Sequence, residues 1–266
     1  MRPFPFLLSL IPALVVCGCG GGGEGPSLAQ EGVDRVLVTT QTGSGAGAEV
    51  TITEPEAVEK ILQTIADSEL APDAYEVAKT KTMELFSGTE SVAKLSIGGD
   101  LFETGEKQYR DPSGFLNRVV ECVLLARAPL LGTISPPETV SIGQTIDLVY
   151  TVQNVGPEPV ELAGEFTARG AWAKKIEAAE GEGTDWTRGV EEDQVPDTDL
   201  RIEVQAGGQQ TLQPGDSRTY TFPIPTDNFL PGTIMIRIAS TESLQLDPDG
   251  PVKLPPPPPP FTVEAR

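Results

Sequence analysis

The sequence predicts an α+β two-layer domain followed by an all-β sandwich, and three observations carry that expectation. Two apolar stripes with helical spacing fall before residue 130, at Val58, Ile61, Leu62 and Ile65 and again at Phe115, Leu116, Val119, Val120, Val123 and Leu124. Beyond Pro136 the helical period gives way to short alternating runs separated by turn residues. Glycine (28) and proline (25) together make up about a fifth of the 266 residues, which suits a turn-rich globular chain rather than a coiled coil or a disordered one.

Taken in order, residues 1–18 read as an export signal. Arg2 opens a mostly apolar run from Phe4 to Val16, interrupted by Pro5 and Pro12 and shorter than the roughly 20 residues a spanning helix needs. Val16-Cys17-Gly18-Cys19 then resembles the lipobox of bacterial lipoproteins, with Gly18 as the small residue before the cut and Cys19 as the lipidated position. Cysteine at the variable position and a single basic residue depart from that family's usual pattern. The resemblance implies a diacylglycerol and an amide-linked acyl chain of the palmitate type on Cys19. It also implies export and anchoring to a bacterial membrane facing the periplasm or the exterior, with the outer membrane favoured because Gly20 follows the cysteine. More than one acyl chain meets the requirement for stable anchoring. Residues 19–32, beginning with four glycines after Cys19, read as a tether with a reach of roughly 20 Å.

The α+β domain is expected over residues 33–130. Val33–Thr40 and Glu49–Thr53 read as strands. Thr53-Glu54-Pro55-Glu56 then has the spacing of a capping box, with proline in the first turn of the first helix. Burying the four apolar residues of that helix is worth roughly 6–12 kcal/mol gross, so it must dock on a sheet. Thr80–Phe86, Ser91–Ile97, Leu101–Thr104 and Lys107–Tyr109 continue as strands, and Asp111-Pro112-Ser113 starts the second helix with Asp111 as N-cap. The order β-β-α-β-β-β-α places both helices on one sheet face.

The sandwich is expected over residues 134–266. Thr145–Gln153 puts Ile146, Leu148, Tyr150 and Val152 on one face, and Pro159–Ala168, Ser217–Pro223 and Gly232–Ala239 supply further strands. Pro214-Gly215 fits the centre of a type II turn. "SIGQTIDLVYTVQNVGPEPVEL", "LQPGDSRTYTF" and "LPGTIMIRI" together resemble bacterial Ig-like β-sandwich modules, through a strand ending in Asn-x-Gly, a Pro-Gly-Asp turn and a Gly-led strand. The resemblance covers about 100 residues and implies a fold; its motifs are turns, not reactive groups.

Composition narrows the chemistry. Thirty-nine acids against 19 bases give a net charge of −20, a field that repels nucleic acid and anionic lipid surfaces. The sequence contains no histidine, which removes Ser–His and Cys–His catalysis, HExxH metal sites and imidazole proton transfer. No cofactor is indicated. Ser91-Val92-Ala93-Lys94 spells SxxK but sits in an alternating run without SDN- or KTG-type partners, so Lys94 reads as a solvent-facing strand residue. With Cys17 removed and Cys19 acylated, Cys122 has no partner for a disulfide and reads as a small buried hydrophobe.

Residues 176–200 form an acidic loop with Trp172 and Trp186 beside or within it, and a solvated loop is the first expectation. The functional alternative is recognition of a protein or cell-wall partner, with Trp172, Trp186, Asp193, Asp197 and Asp199 as binding residues. The three aspartates lack EF-hand spacing, so no metal site is assigned. Pro255–Pro260 are expected to adopt polyproline II over roughly 19 Å, as a stiff spacer or bulging loop before a last strand at Phe261–Ala265, or otherwise as a ligand for an aromatic groove. The expectation is a non-catalytic, membrane-anchored envelope protein that binds another protein or a wall polymer. An inhibitor of an envelope or secreted enzyme is the next reading, and a carboxylate-based hydrolase a remote third.

Overall fold

The structure is a computed structural model describing residues 26, 32–40, 48–72, 77, 80–135, 139–175, 200–205, 208–227, 229, 231–242, 250–259 and 261–266. Among these it is mostly β-sheet with two helices. Strands β1 (Arg35–Thr40) and β2 (Glu49–Ile52) precede helix α1 (Pro55–Ala66). Then follow β3 (Glu69–Leu70), β4 (Lys81–Ser87), β5 (Glu90–Gly98), β6 (Leu101–Thr104), β7 (Lys107–Arg110) and helix α2 (Phe115–Ala126). All seven strands join one sheet in the order β2-β1-β4-β5-β6-β7-β3, every pairing antiparallel. The short β3 had no counterpart among the expected strands.

Both expected helical stripes are on the inside. Val58, Ile61 and Ile65 of α1 and Leu116, Val119, Val120 and Val123 of α2 share one core with Val36, Val38, Ile52, Met83, Leu85, Leu95 and Ile97 of the sheet. Leu62, Phe115 and Leu124 are partly buried at its margin, and Cys122 is buried within it, as a small hydrophobe.

The helix starts differ from expectation. Helix α1 has Glu54 as its N-cap residue and no side-chain cap, so the Thr53/Glu56 capping box does not form. The reason is tertiary: the N–H groups of Thr53 and Glu54 both donate to the carbonyl of Val155, at 2.8 and 3.0 Å. Helix α2 begins at Phe115 after Gly114, whose φ of +60° suits a residue without a Cβ. Asp111 still caps it, from farther upstream than the Ncap position. Its buried carboxylate accepts from the N–H of Leu116 at 2.9 Å and from the N–H and hydroxyl of Ser113.

The rest of the described chain is all strand: β8 (Leu130–Ser135), β9 (Thr139–Val140), β10 (Thr145–Asn154), β11 (Val160–Leu162), β12 (Glu165–Lys175), β13 (Leu200–Gln205), β14 (Gln210–Leu212), β15 (Ser217–Pro225), β16 (Gly232–Glu242), β17 (Val252–Lys253) and β18 (Phe261–Ala265). They form sheets of order β15-β10-β8, β14-β11-β17 and β13-β12-β16-β18-β9. Strand β10 alternates as its sequence does. Its Ile146, Leu148, Tyr150 and Val152 meet Tyr220, Phe222 and Ile224 of β15 and Ile234, Ile236, Phe261 and Val263 of the five-stranded sheet in a second core. Tyr150, Tyr220, Phe222 and Phe166 are packed ring on ring there, with centroids 5.1–6.3 Å apart.

One further expectation is corrected. Pro159–Ala168 is not one strand: it breaks at Ala163-Gly164, so β11 and β12 enter different sheets. A Cβ at Gly164 would overlap the backbone of Gly208, so the break sits where two backbones touch. The proline run is packed against the second core. Pro255, Pro256 and Pro258 are buried, and the Tyr150 hydroxyl donates a 2.6 Å hydrogen bond to the Pro256 carbonyl. Polyproline II leaves its carbonyls unpaired internally, which makes them available to such a donor.

The two cores are not insulated from one another. Val155, in the turn after β10, and Leu131 of β8 belong to the first core, while Ala126 and Ala128 belong to the second.

Candidate functional site

Of the residues expected to bind a partner, Trp172 is on strand β12 and the others fall, in sequence, between β12 and β13. Strands β12 and β13 are antiparallel neighbours, with a register shift between Ala168 and Ala171, and Ala171 pairs with Leu200. The end of β12 and the start of β13 therefore lie toward the same end of the five-stranded sheet. Trp172 lies on β12 opposite Arg237 of β16 in backbone register. Trp186, Asp193, Asp197 and Asp199 lie outside the described residues, as do Cys19 and the expected signal and tether apart from Pro26 and Gly32. Among the described residues no group of three or more Cys, Asp or Glu side chains is arranged to hold a metal, and no helix is long and apolar enough to cross a membrane.

Nucleophile-like groups have structural partners. Ser91 is an exposed residue of strand β5 and its hydroxyl donates to Glu84 at 2.6 Å, while Lys94 pairs opposite Glu84 in register and is exposed. Burial pushes the Cys122 thiol up from its ordinary value; the Gly132 backbone hydrogen bond works against that shift, Glu121 adds to it and Arg118 opposes it. A thiol held protonated is a poor nucleophile. Burial also pushes Tyr150 well above the usual phenol range, with Cys122 and Tyr220 acting in the same direction, and takes Tyr220 up to about 12 against the lowering influence of Arg218. All three groups are therefore protonated near neutral pH and none is poised there to exchange a proton.

The best-organised polar constellation among the described residues lies at the end of β10. Asn154 is fully buried and its amide donates to the carbonyls of Glu158 and Leu212, at 2.8 and 3.0 Å, while its side-chain oxygen accepts from the N–H of Gly156. Its own N–H and C=O bond to Asp216 and Gly215 of the Pro-Gly-Asp turn. The two turn motifs that the sequence singled out separately thus form one unit. What sequence reading missed is where that unit points: Val155, fully buried, donates to Pro129 and accepts from Thr53 and Glu54. An apolar residue in the middle of Asn-x-Gly is the one local signal of such an inward turn.

No protein-family model matches the chain, and no curated protein matches it. Two solved structures of a β-glucosidase from Listeria innocua, one of them in complex with glucose, are similar to 51% of this chain, with 15% and 17% sequence identity and TM-scores of 0.25 and 0.23. The chain spans only 16% and 15% of those proteins, a likeness too slight to bear on fold or activity.

Proposed function

We propose that this chain is a lipid-anchored bacterial cell-envelope protein, non-catalytic, in which an α+β two-layer domain (33–130) is followed by an Ig-like sandwich (134–266) that binds a protein or wall polymer. The observation that carries the reading is Val16-Cys17-Gly18-Cys19 followed at once by four glycines, an acylation sequence joined to a tether. The hairpin topology supports the binding half of it. The acidic run 176–199 falls in sequence between two paired strands of a sheet whose core is already filled by its own aromatic residues.

Anchoring is tested by Cys19→Ser in a bacterial host: the native chain is expected to sediment with membranes and to carry acyl chains by mass spectrometry, and the variant to be released. A variant that stays membrane-bound and of unchanged mass removes lipidation from the account. Deleting 177–199 is expected to abolish cross-linking to the envelope partner while leaving anchoring intact.

A further inference from the structure

We propose that the turn Asn154-Val155-Gly156 locks the two halves of the molecule into one cooperative body without a hinge between them. Val155 comes from the end of β10, yet its side chain is fully buried among the residues of the helix-bearing core. Its carbonyl receives the N–H groups of Thr53 and Glu54 where α1 begins, and its own N–H donates to Pro129 just beyond α2, at 2.8 Å. Both helices are therefore tied, one at its start and one past its end, to a single residue of the other half.

Close packing forbids looseness at the same place. A Cβ on Gly156 would overlap the Pro129 ring and come within 3.3 Å of the Thr51 carbonyl. Gly215, at φ +84°, has the Glu54 carboxylate against the position its missing Cβ would occupy. Asn154, with every side-chain hydrogen bond inside its own half, holds the turn in shape from behind. Hinges between domains need an interface that can open at low cost. Opening this one exposes Val155, strands two N–H groups at the start of α1 and separates residues contributed to both cores. A load or a bound partner on the sandwich is thus transmitted to the helix-bearing half directly.

The chain carries its own two probes. Both tryptophans, Trp172 and Trp186, lie in the second half of the sequence, and both helices of the described residues lie in the first. Urea unfolding of the full chain in detergent, followed by tryptophan fluorescence and by helical circular dichroism, is expected to give superimposable curves. Gly156→Val is expected to lower the helical midpoint by about 1 M urea although the substitution lies outside the helix-bearing half. Phe222→Ala, deep in the second core and away from the turn, is expected to pull the helical curve down with the fluorescence curve. If Phe222→Ala unfolds the sandwich before any urea is added, loss of the helical signal with it supports the lock. Curves that separate in the native protein, a helical midpoint unmoved by Gly156→Val, or helices that survive Phe222→Ala would each overturn it.

Discussion

Helices α1 and α2 are both 12 residues long and bury their apolar stripes in the same core, but they start by different physics. The start of α2 is local: Asp111, a few residues upstream, turns its carboxylate onto Ser113 and Leu116. The start of α1 is remote: the N–H groups of its N-cap residue Glu54 and of Thr53 before it are satisfied by Val155, which lies beyond the entire helix-bearing sheet and two strands of the next. A helix end leaves several N–H groups without intrahelical partners, and a neighbouring side chain or a distant backbone carbonyl satisfies them equally well. The first solution is written in adjacent residues and the second only in the fold.

The largest effect expected from that difference comes from the residue that holds the remote cap in place. Asn154→Ala removes three buried hydrogen bonds and leaves the carbonyls of Glu158 and Leu212 unpaired, which should cost about 3 kcal/mol. Because the damage reaches Val155, amide hydrogen exchange in α1 should accelerate, although α1 is about 90 residues away in sequence. Faster exchange confined to residues 154–158 would show that α1 does not depend on the turn.

The same contrast explains what could be read from the residues. Side-chain alternation along β10 and β15 and the stripes of α1 and α2 depend on near neighbours, and each lies where its spacing predicts. Thr53-Glu54-Pro55-Glu56 has the letters of a capping box, but Val155 takes the N–H groups instead, and no local pattern announces a competitor so far along the chain. The burial of the proline run was illegible for the same reason. Six prolines specify an extended conformation but not whether a buried hydroxyl such as that of Tyr150 waits beside it. Of the expected binding residues, Trp172 has its place on β12 and the rest lie outside the described residues. The candidate site was therefore legible as an acidic run after a strand, while the β13 partner that follows it was not, because Leu200–Gln205 finds its place only by pairing with β12.

Asp111→Ala tests the local solution and should cost about 2 kcal/mol, because the buried carboxylate serves both the Ser113 turn and the Leu116 N–H. Its signature is opposite to that of Asn154→Ala: exchange should accelerate at the start of α2 and leave the 154–158 turn protected. A variant in which both regions loosen equally would erase the distinction between local and remote starts. Asp111→Asn, which keeps an acceptor oxygen, should recover part of the loss.

The smallest effect concerns the second remote contact, the bond between Tyr150 and Pro256. Tyr150→Phe keeps the ring among Tyr220 and Phe222 and removes only the hydroxyl, so about 1 kcal/mol should be lost. The pH dependence reports the burial of the same hydroxyl. An unfolded tyrosine ionises near pH 10, whereas burial holds both Tyr150 and Tyr220 protonated beyond that, Tyr220 up to about 12. The folded state thus keeps protons that the unfolded chain releases, so their contribution is complete below about pH 10 and is lost as pH rises toward 12. Urea midpoints should begin to fall near pH 9, where the unfolded Cys122 thiol ionises and the buried one does not, and fall further from pH 10 upward, less steeply in Tyr150→Phe because one of the two raised phenols is gone. Equal slopes in the two proteins would mean that the Tyr150 hydroxyl titrates as freely in the folded chain as in the unfolded one, and that burial does not hold its proton.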